Sequence, residues 1–112
     1  MITPVRMRLS RAKGFNLQAA SRAINGLPAV NCARPGKWGN PWTACLREHA
    51  VEIFRSWLDG IIDPRDLHDR RFHLLSELRS LRGHNLACWC PLPSPGAPDH
   101  CHAAVLLEIA NR

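Results

Sequence analysis

The chain has 112 residues, 46% of them hydrophobic, and a formal net charge of +6. That length suits one domain, residues 1–112, with a core of its own, and excludes two. No stretch nears the roughly eighteen apolar residues of a membrane span and the first residues carry no hydrophobic signal core, so no membrane association and a cytoplasmic location are expected.

The charge is unevenly placed: residues 1–44 hold seven Lys/Arg and no Asp/Glu, whereas residues 45–112 hold eight against nine. A basic segment of this kind suits phosphate-bearing partners, either a nucleotide or nucleic acid. The five cysteines in a chain without export features point to free thiols or metal ligation rather than a disulfide framework.

Residues 4–10 alternate Val5, Met7 and Leu9 with Arg6, Arg8 and Ser10, the period of a half-buried strand in which the two arginines face solvent. Arg11, Ala12, Lys13 and Gly14 follow as a turn. Residues 17–24 have room for two turns of helix before Asn25 and Gly26 end it. After Pro28, residues 29–33 predict a second strand, assigned to the sheet interior.

Its exit, Arg34-Pro-Gly-Lys-Trp-Gly-Asn-Pro-Trp42, is the densest loop chemistry in the chain. Gly36 and Gly39 with two prolines fix an irregular backbone; Arg34, Lys37 and Asn40 supply donors, and Trp38 and Trp42 supply flat faces. Such a loop suits phosphate and a stacked base, but equally a structural loop whose tryptophans cap the core. It is not a Walker loop, because a tryptophan follows Gly36-Lys37.

Thr43 is a candidate N-cap for a helix to about residue 59, with an apolar stripe of Leu46, Ala50, Ile53, Phe54, Trp57 and Leu58. Asp63 and Pro64 open another helix, with Leu67, Leu74, Leu75, Leu78 and Leu81 on its buried side. Arg70, Arg71, Glu77 and Arg79 fit its solvated face, and His49, His68 and His73 have no partner set.

Residues 86–90 predict a short buried strand, with Cys88 and Cys90 on one face and Trp89 on the other. A Pro-rich loop follows. Cys101 and His102 then open a final helix carrying Val105, Leu106 and Ile109. The order of elements predicts a small α/β domain of about three short, mainly parallel strands with three to four helices. Parallel strands bring the three exits to one edge, so Arg11 and Lys13, residues 34–40, and Cys90 with Cys101 are expected to converge there.

The chain resembles domain-of-unknown-function family 4326, a group of bacterial and phage proteins. The matching pieces are Leu9-Ser-Arg-Ala-Lys-Gly-Phe15, Arg34-Pro-Gly-Lys-Trp-Gly-Asn-Pro-Trp42, Leu81-Arg-Gly-His-Asn-Leu-Ala-Cys-Trp-Cys-Pro-Leu92 and Cys101-His102-Ala-Ala-Val-Leu-Leu-Glu. The resemblance implies one compact domain and brings no established reaction. This chain departs from the family pattern in its longer loop between Pro91 and Cys101.

Three functions compete. In the first, the protein binds a nucleotide or another phosphorylated small molecule, with or without processing it: Arg11, Lys13, Arg34 and Lys37 neutralise phosphate, Gly36, Trp38, Gly39 and Asn40 shape the loop, and the final helix donates N–H groups. Cys90 or Cys101 would be the nucleophile and His102 the base or proton donor, with the Cys101 thiolate favoured by the helix dipole below its free value of about 8.5. A cysteine phosphatase is disfavoured for want of its glycine-rich anion loop. In the second, Cys88, Cys90, Cys101 and His102 hold a structural zinc ion, with His100 as a substitute ligand, although Cys-x-Cys and adjacent Cys-His depart from zinc-knuckle spacing. In the third, a nucleic-acid-binding module stacks bases on Trp38 and Trp42.

Overall fold

A computed structural model of the chain describes residues 2–43 and 46–112. Three strands, β1 (Arg6–Arg8), β2 (Ala29–Asn31) and β3 (Asn85–Cys88), form one parallel sheet in the order β1-β3-β2. Arg8 stands opposite Cys88, and Asn31 opposite Ala87. Four helices, α1 (Leu17–Asn25), α2 (Arg47–Leu58), α3 (His68–Glu77) and α4 (His102–Ala110), complete the expected α/β domain.

The central strand is β3, not β2 as the sequence suggested: every residue of β3 is buried, while Asn31 on the β2 edge is exposed. The Asn85 side chain fixes this arrangement. Its Oδ1 accepts from Val5 N and Asn25 Nδ2, and its Nδ2 donates to Ser21 Oγ and Asn25 Oδ1, tying β3 to the entry of β1 and to α1. A buried amide is tolerated because its donors and acceptor are all met.

Helix α1 begins where the Asn16 side chain accepts from Ala19 N, and it stops at Gly26, whose φ of 81° belongs to the left-handed region. Helix α2 begins later than expected. Thr43 does not cap it; Leu46 precedes its first turn without a side-chain cap bond, and the predicted positions 44 and 45 lie outside the described residues. Leu46 consequently leaves the apolar stripe and is exposed, whereas Ala50, Phe54, Trp57 and Leu58 are buried.

The helix expected after Asp63 is divided. A 3-10 turn (Arg65–Leu67) leads into α3, and a second (Leu78–Leu81) finishes the segment. Asp63 bonds the ring of His68 at 2.7 Å instead of capping the backbone. Two arginines assigned to a solvated face in fact hold other elements: Arg71 Nε donates to Trp57 O at the end of α2, and Arg70 donates to Gly39 O in the loop after β2. A cation on the last carbonyls of a helix meets groups that lack intrahelical partners. Helix α4 packs on β3, β1 and α2, burying Val105, Leu106 and Ala110.

Candidate functional site

Because all three strands run parallel, their exits lie side by side. Leu9 N donates to Cys88 O and Cys32 N to Ala87 O, continuing both ladders beyond the strands. The segments leaving β2 and β3 therefore start beside one another, as ligand-bearing loops do at the carboxyl end of such a sheet.

β3 ends at Cys88, short of the expected residue 90, and in the bend just beyond it Cys90 lies beside Cys88, with their sulfurs 4.0 Å apart, while Trp89 is exposed. Trp89 is partly exposed and carries the Arg11 guanidinium over its ring at 4.6 Å. Cys101 occupies the N-cap position of α4 in extended conformation, which turns its side chain inward. The sulfurs of Cys88, Cys90 and Cys101 all lie within 4.8 Å of one another. Cys88 and Cys101 are buried, and Cys90 is half-exposed.

An arginine holds this assembly together. Arg6 is buried, in contrast to its expected solvent-facing position, because its strand face is covered by the loop between Cys90 and Cys101. Its guanidinium donates to both oxygens of Asp99 and to the carbonyls of Met7, Cys90 and Pro91. The two ends of that loop are thereby fixed by one planar fork of donors. Burial disfavours the Arg6 charge, but the Asp99 bond and the neighbouring Cys101 and Cys90 thiols outweigh it, and the guanidinium is held even more firmly cationic than usual.

Three thiols so close together do not ionise alike. Cys88 is pushed well down, because Cys101 and Cys90 donate their S–H groups to it, against the cost of burial and with help from His102. Cys101 is correspondingly pushed up by Cys88, by Cys90 and by burial. Cys90 is favoured as a thiolate by Cys101, but Cys88 and burial prevail and raise it. A helix-activated Cys101 thiolate does not fit this geometry: the residue is fully buried, and burial with the neighbouring thiols pushes Cys101 up rather than down. Cys32, buried at the exit of β2, is pushed up to about 12 by burial and by Cys88.

His102 is also buried, with Phe54 edge-on to its ring at 5.6 Å. Its Nε2 lies 2.6 Å from Cys32 O. A carbonyl only accepts, so Nε2 carries a proton in this bond. His102 stands beside Cys88 but outside the triangle of sulfurs.

The loop after β2 divides the remaining candidates. Arg34 and Asn40, with Trp42, Arg47, Cys90 and His102, line a pocket of about 270 Å³. Gly36, Lys37 and Trp38 line another, of about 310 Å³, together with Arg70 and Glu77. Arg11 lies on a third surface with Trp89, and Lys13 is exposed and lines none of these pockets. Lys37 pairs with Glu77 at 3.1 Å and stands over the edge of Trp38, which is itself a core residue. Asn40 is buried as a bracket: its Nδ2 donates to Ala50 O and its Oδ1 accepts from Trp42 N. Gly39 is required by close approach, since a Cβ there would stand 2.8 Å from Arg34 Cγ and 3.0 Å from Arg34 Cα.

Sequence reasoning missed Arg47 and Asp99. Arg47 looked like any cation in a first helical turn, and it reaches the pocket only because α2 starts at that residue. Asp99 sits in a Pro-rich loop whose path no periodicity discloses. Comparison with curated proteins and with solved structures gives no match to this chain. A family model does match, over residues 15–112, which takes in the loop after β2, the Cys88-Trp89-Cys90 segment and the Cys101-His102 helix start. The chain belongs to the family described as domain of unknown function DUF4326.

Proposed function

We propose that the protein binds a phosphorylated small molecule, such as a nucleotide, in the pocket between Arg34 and Arg47. The observation that carries this reading is the pairing of two exposed cations, neither in an ion pair with any described residue, above a concave floor that includes Cys90 and His102. Guanidinium groups bind phosphate through bidentate hydrogen bonds, and the half-buried Trp42 offers a flat face at the same pocket. A volume of about 270 Å³ suits a small ligand or the phosphate end of a larger one.

The nucleic-acid alternative is weakened by the fate of the basic segment. Arg6 is spent on Asp99 and Lys37 on Glu77, so the acid-free first part of the chain presents less positive surface than its composition promises. Cys101, as a nucleophile, has no exposed surface from which to meet a ligand; Cys90 does.

Calorimetric titration with mononucleotides, sugar phosphates and inorganic phosphate tests the reading. Saturable binding that the double substitution Arg34→Ala/Arg47→Ala abolishes is expected. Absence of binding in the intact protein, or undiminished binding in the double variant, would overturn it.

A further inference from the structure

We propose that Cys88, Cys90 and Cys101 form a three-thiolate site for a single zinc ion, whose fourth position opens on the Arg34–Arg47 pocket. The site is argued from the sulfur geometry and stands whether or not the pocket takes a phosphorylated ligand.

The spacing matches one ion. Zinc–sulfur bonds of about 2.3 Å in a tetrahedron put neighbouring sulfurs about 3.8 Å apart. Here the three sulfurs lie within 4.8 Å of one another, with Cys88 and Cys90 at 4.0 Å, so small side-chain shifts complete the geometry. A [4Fe–4S] cluster places each thiolate on a separate iron and needs them farther apart. Soft sulfur donors and the absence of any carboxylate in the triangle, among the described residues, select against magnesium and calcium.

The surroundings are built for such an ion. Three separate devices bring the sulfurs together: the bend that sets Cys90 beside Cys88 just past β3, the extended N-cap conformation for Cys101, and the Arg6–Asp99 fork that closes the intervening loop. Zinc with three thiolates carries a net negative charge, and two cations lie close to it, Arg6 beside Cys90 and Cys101 and Arg47 beside Cys90. Arg6 also donates to the Cys90 carbonyl, and outer partners of this kind commonly orient metal ligands.

The fourth position follows from burial. No fourth described side chain completes a cluster with the three sulfurs. Of the three cysteines Cys90 is the most exposed, and it lines the pocket with Arg34, Arg47 and His102. A closed structural zinc site has four protein ligands, whereas one with three leaves room for water or a bound anion. The family's CxC and CH elements thus gain a common chemical purpose in this chain.

The test uses the whole chain, expressed with zinc and purified under reducing conditions without chelator. Elemental analysis is expected to give one zinc per chain, and the cobalt-substituted protein is expected to show thiolate-to-cobalt charge-transfer bands. Cys90→Ser, the substitution at the half-exposed position, keeps the far-ultraviolet spectrum of the fold and loses at least ten-fold in zinc affinity. Imidazole added to the cobalt form shifts its ligand-field bands if the fourth position is open. Metal-free protein with reduced thiols, full zinc retention by Cys90→Ser, or bands that imidazole leaves unchanged would each overturn the assignment. The Arg34→Ala variant retains zinc, so loss of phosphate binding there, with metal intact, separates this site from the pocket reading.

Discussion

Arg6 on β1 and Asp99 in the loop before α4 form a two-pronged ion pair, Nε to Oδ2 at 2.7 Å and Nη2 to Oδ1 at 2.9 Å, across 93 residues of sequence. The arginine is buried and the aspartate partly exposed. The same guanidinium reaches the carbonyls of Cys90 and Pro91, so the pair sets where Cys101 begins its helix relative to Cys88.

Asp99→Ala is expected to destabilise the fold by about 2 kcal/mol. Breaking a fully buried pair costs about 3–5 kcal/mol because the remaining charge is uncompensated, and partial solvent access at Asp99 with three remaining carbonyl acceptors for Arg6 reduces this. Urea unfolding measures it. A loss within experimental error of zero would mean the carbonyls alone hold Arg6.

Asn85→Ala should cost more, about 3 kcal/mol. It leaves the buried Ser21 hydroxyl, the Asn25 amide and Val5 N–H short of partners at once, and each unmet buried group costs about 1–3 kcal/mol, partly relieved where water enters beside Asn25. Thermal unfolding of the variant gives the comparison, and a penalty no larger than an ordinary surface substitution would show that these groups find new partners.

The sheet and helices were legible because they rest on local signals. Alternation marks β1, Asn25 and Gly26 mark the end of α1, and the two-residue spacing of an extended segment puts Cys90 on the side of Cys88. What could not be read was long-range pairing of polar groups. Arg6 alternates like a solvent-facing residue and is buried only because Asp99 returns to cover it. Likewise the loop after β2 was treated as one surface, yet Arg34 and Lys37, three positions apart, line different pockets. Chain direction within an irregular loop depends on tight turns such as Gly39 beside Arg34, which no periodicity records.

That division predicts opposite outcomes for two cations. Lys37→Ala should leave binding of a phosphorylated ligand within about two-fold of the parent, since Lys37 is paired with Glu77 at another pocket and exposed charges at a distance are screened. Arg47→Ala should weaken it about ten-fold or more, the loss of one charged hydrogen bond. Calorimetry on both variants decides, and equal losses would return Lys37 to the site.

Gly39→Ala is expected to destabilise by about 1–3 kcal/mol, as overpacking does, because the added methyl meets Arg34 Cγ at 2.8 Å and backbone atoms at 3.0 and 3.1 Å. The Arg34 side chain can swing away, but its Cα and the Gly36 carbonyl move only with the loop. A variant as stable as the parent, with unchanged ligand affinity, would show that the loop yields freely.

The thiols predict how stability depends on pH in the metal-free, reduced protein. Burial pushes Cys32 up to about 12, so its neutral form is favoured by folding. Such a group contributes fully below the unfolded value of about 8.5, and the contribution is lost as pH rises from there toward the folded value. Cys88 runs the other way, since its pKa is lowered by the S–H donors of Cys101 and Cys90; its contribution is complete above the unfolded value and is lost as pH falls. Above about pH 8.5 the raised thiols therefore dominate, and stability falls. Cys32→Ala removes one of them, and between about pH 9 and pH 11 its unfolding free energy should fall less steeply than the parent's by about 1.4 kcal/mol per pH unit, the worth of one proton. Urea midpoints measured across that range supply both slopes, and parallel slopes for parent and variant would mean that Cys32 ionises as readily in the folded chain as in the unfolded one.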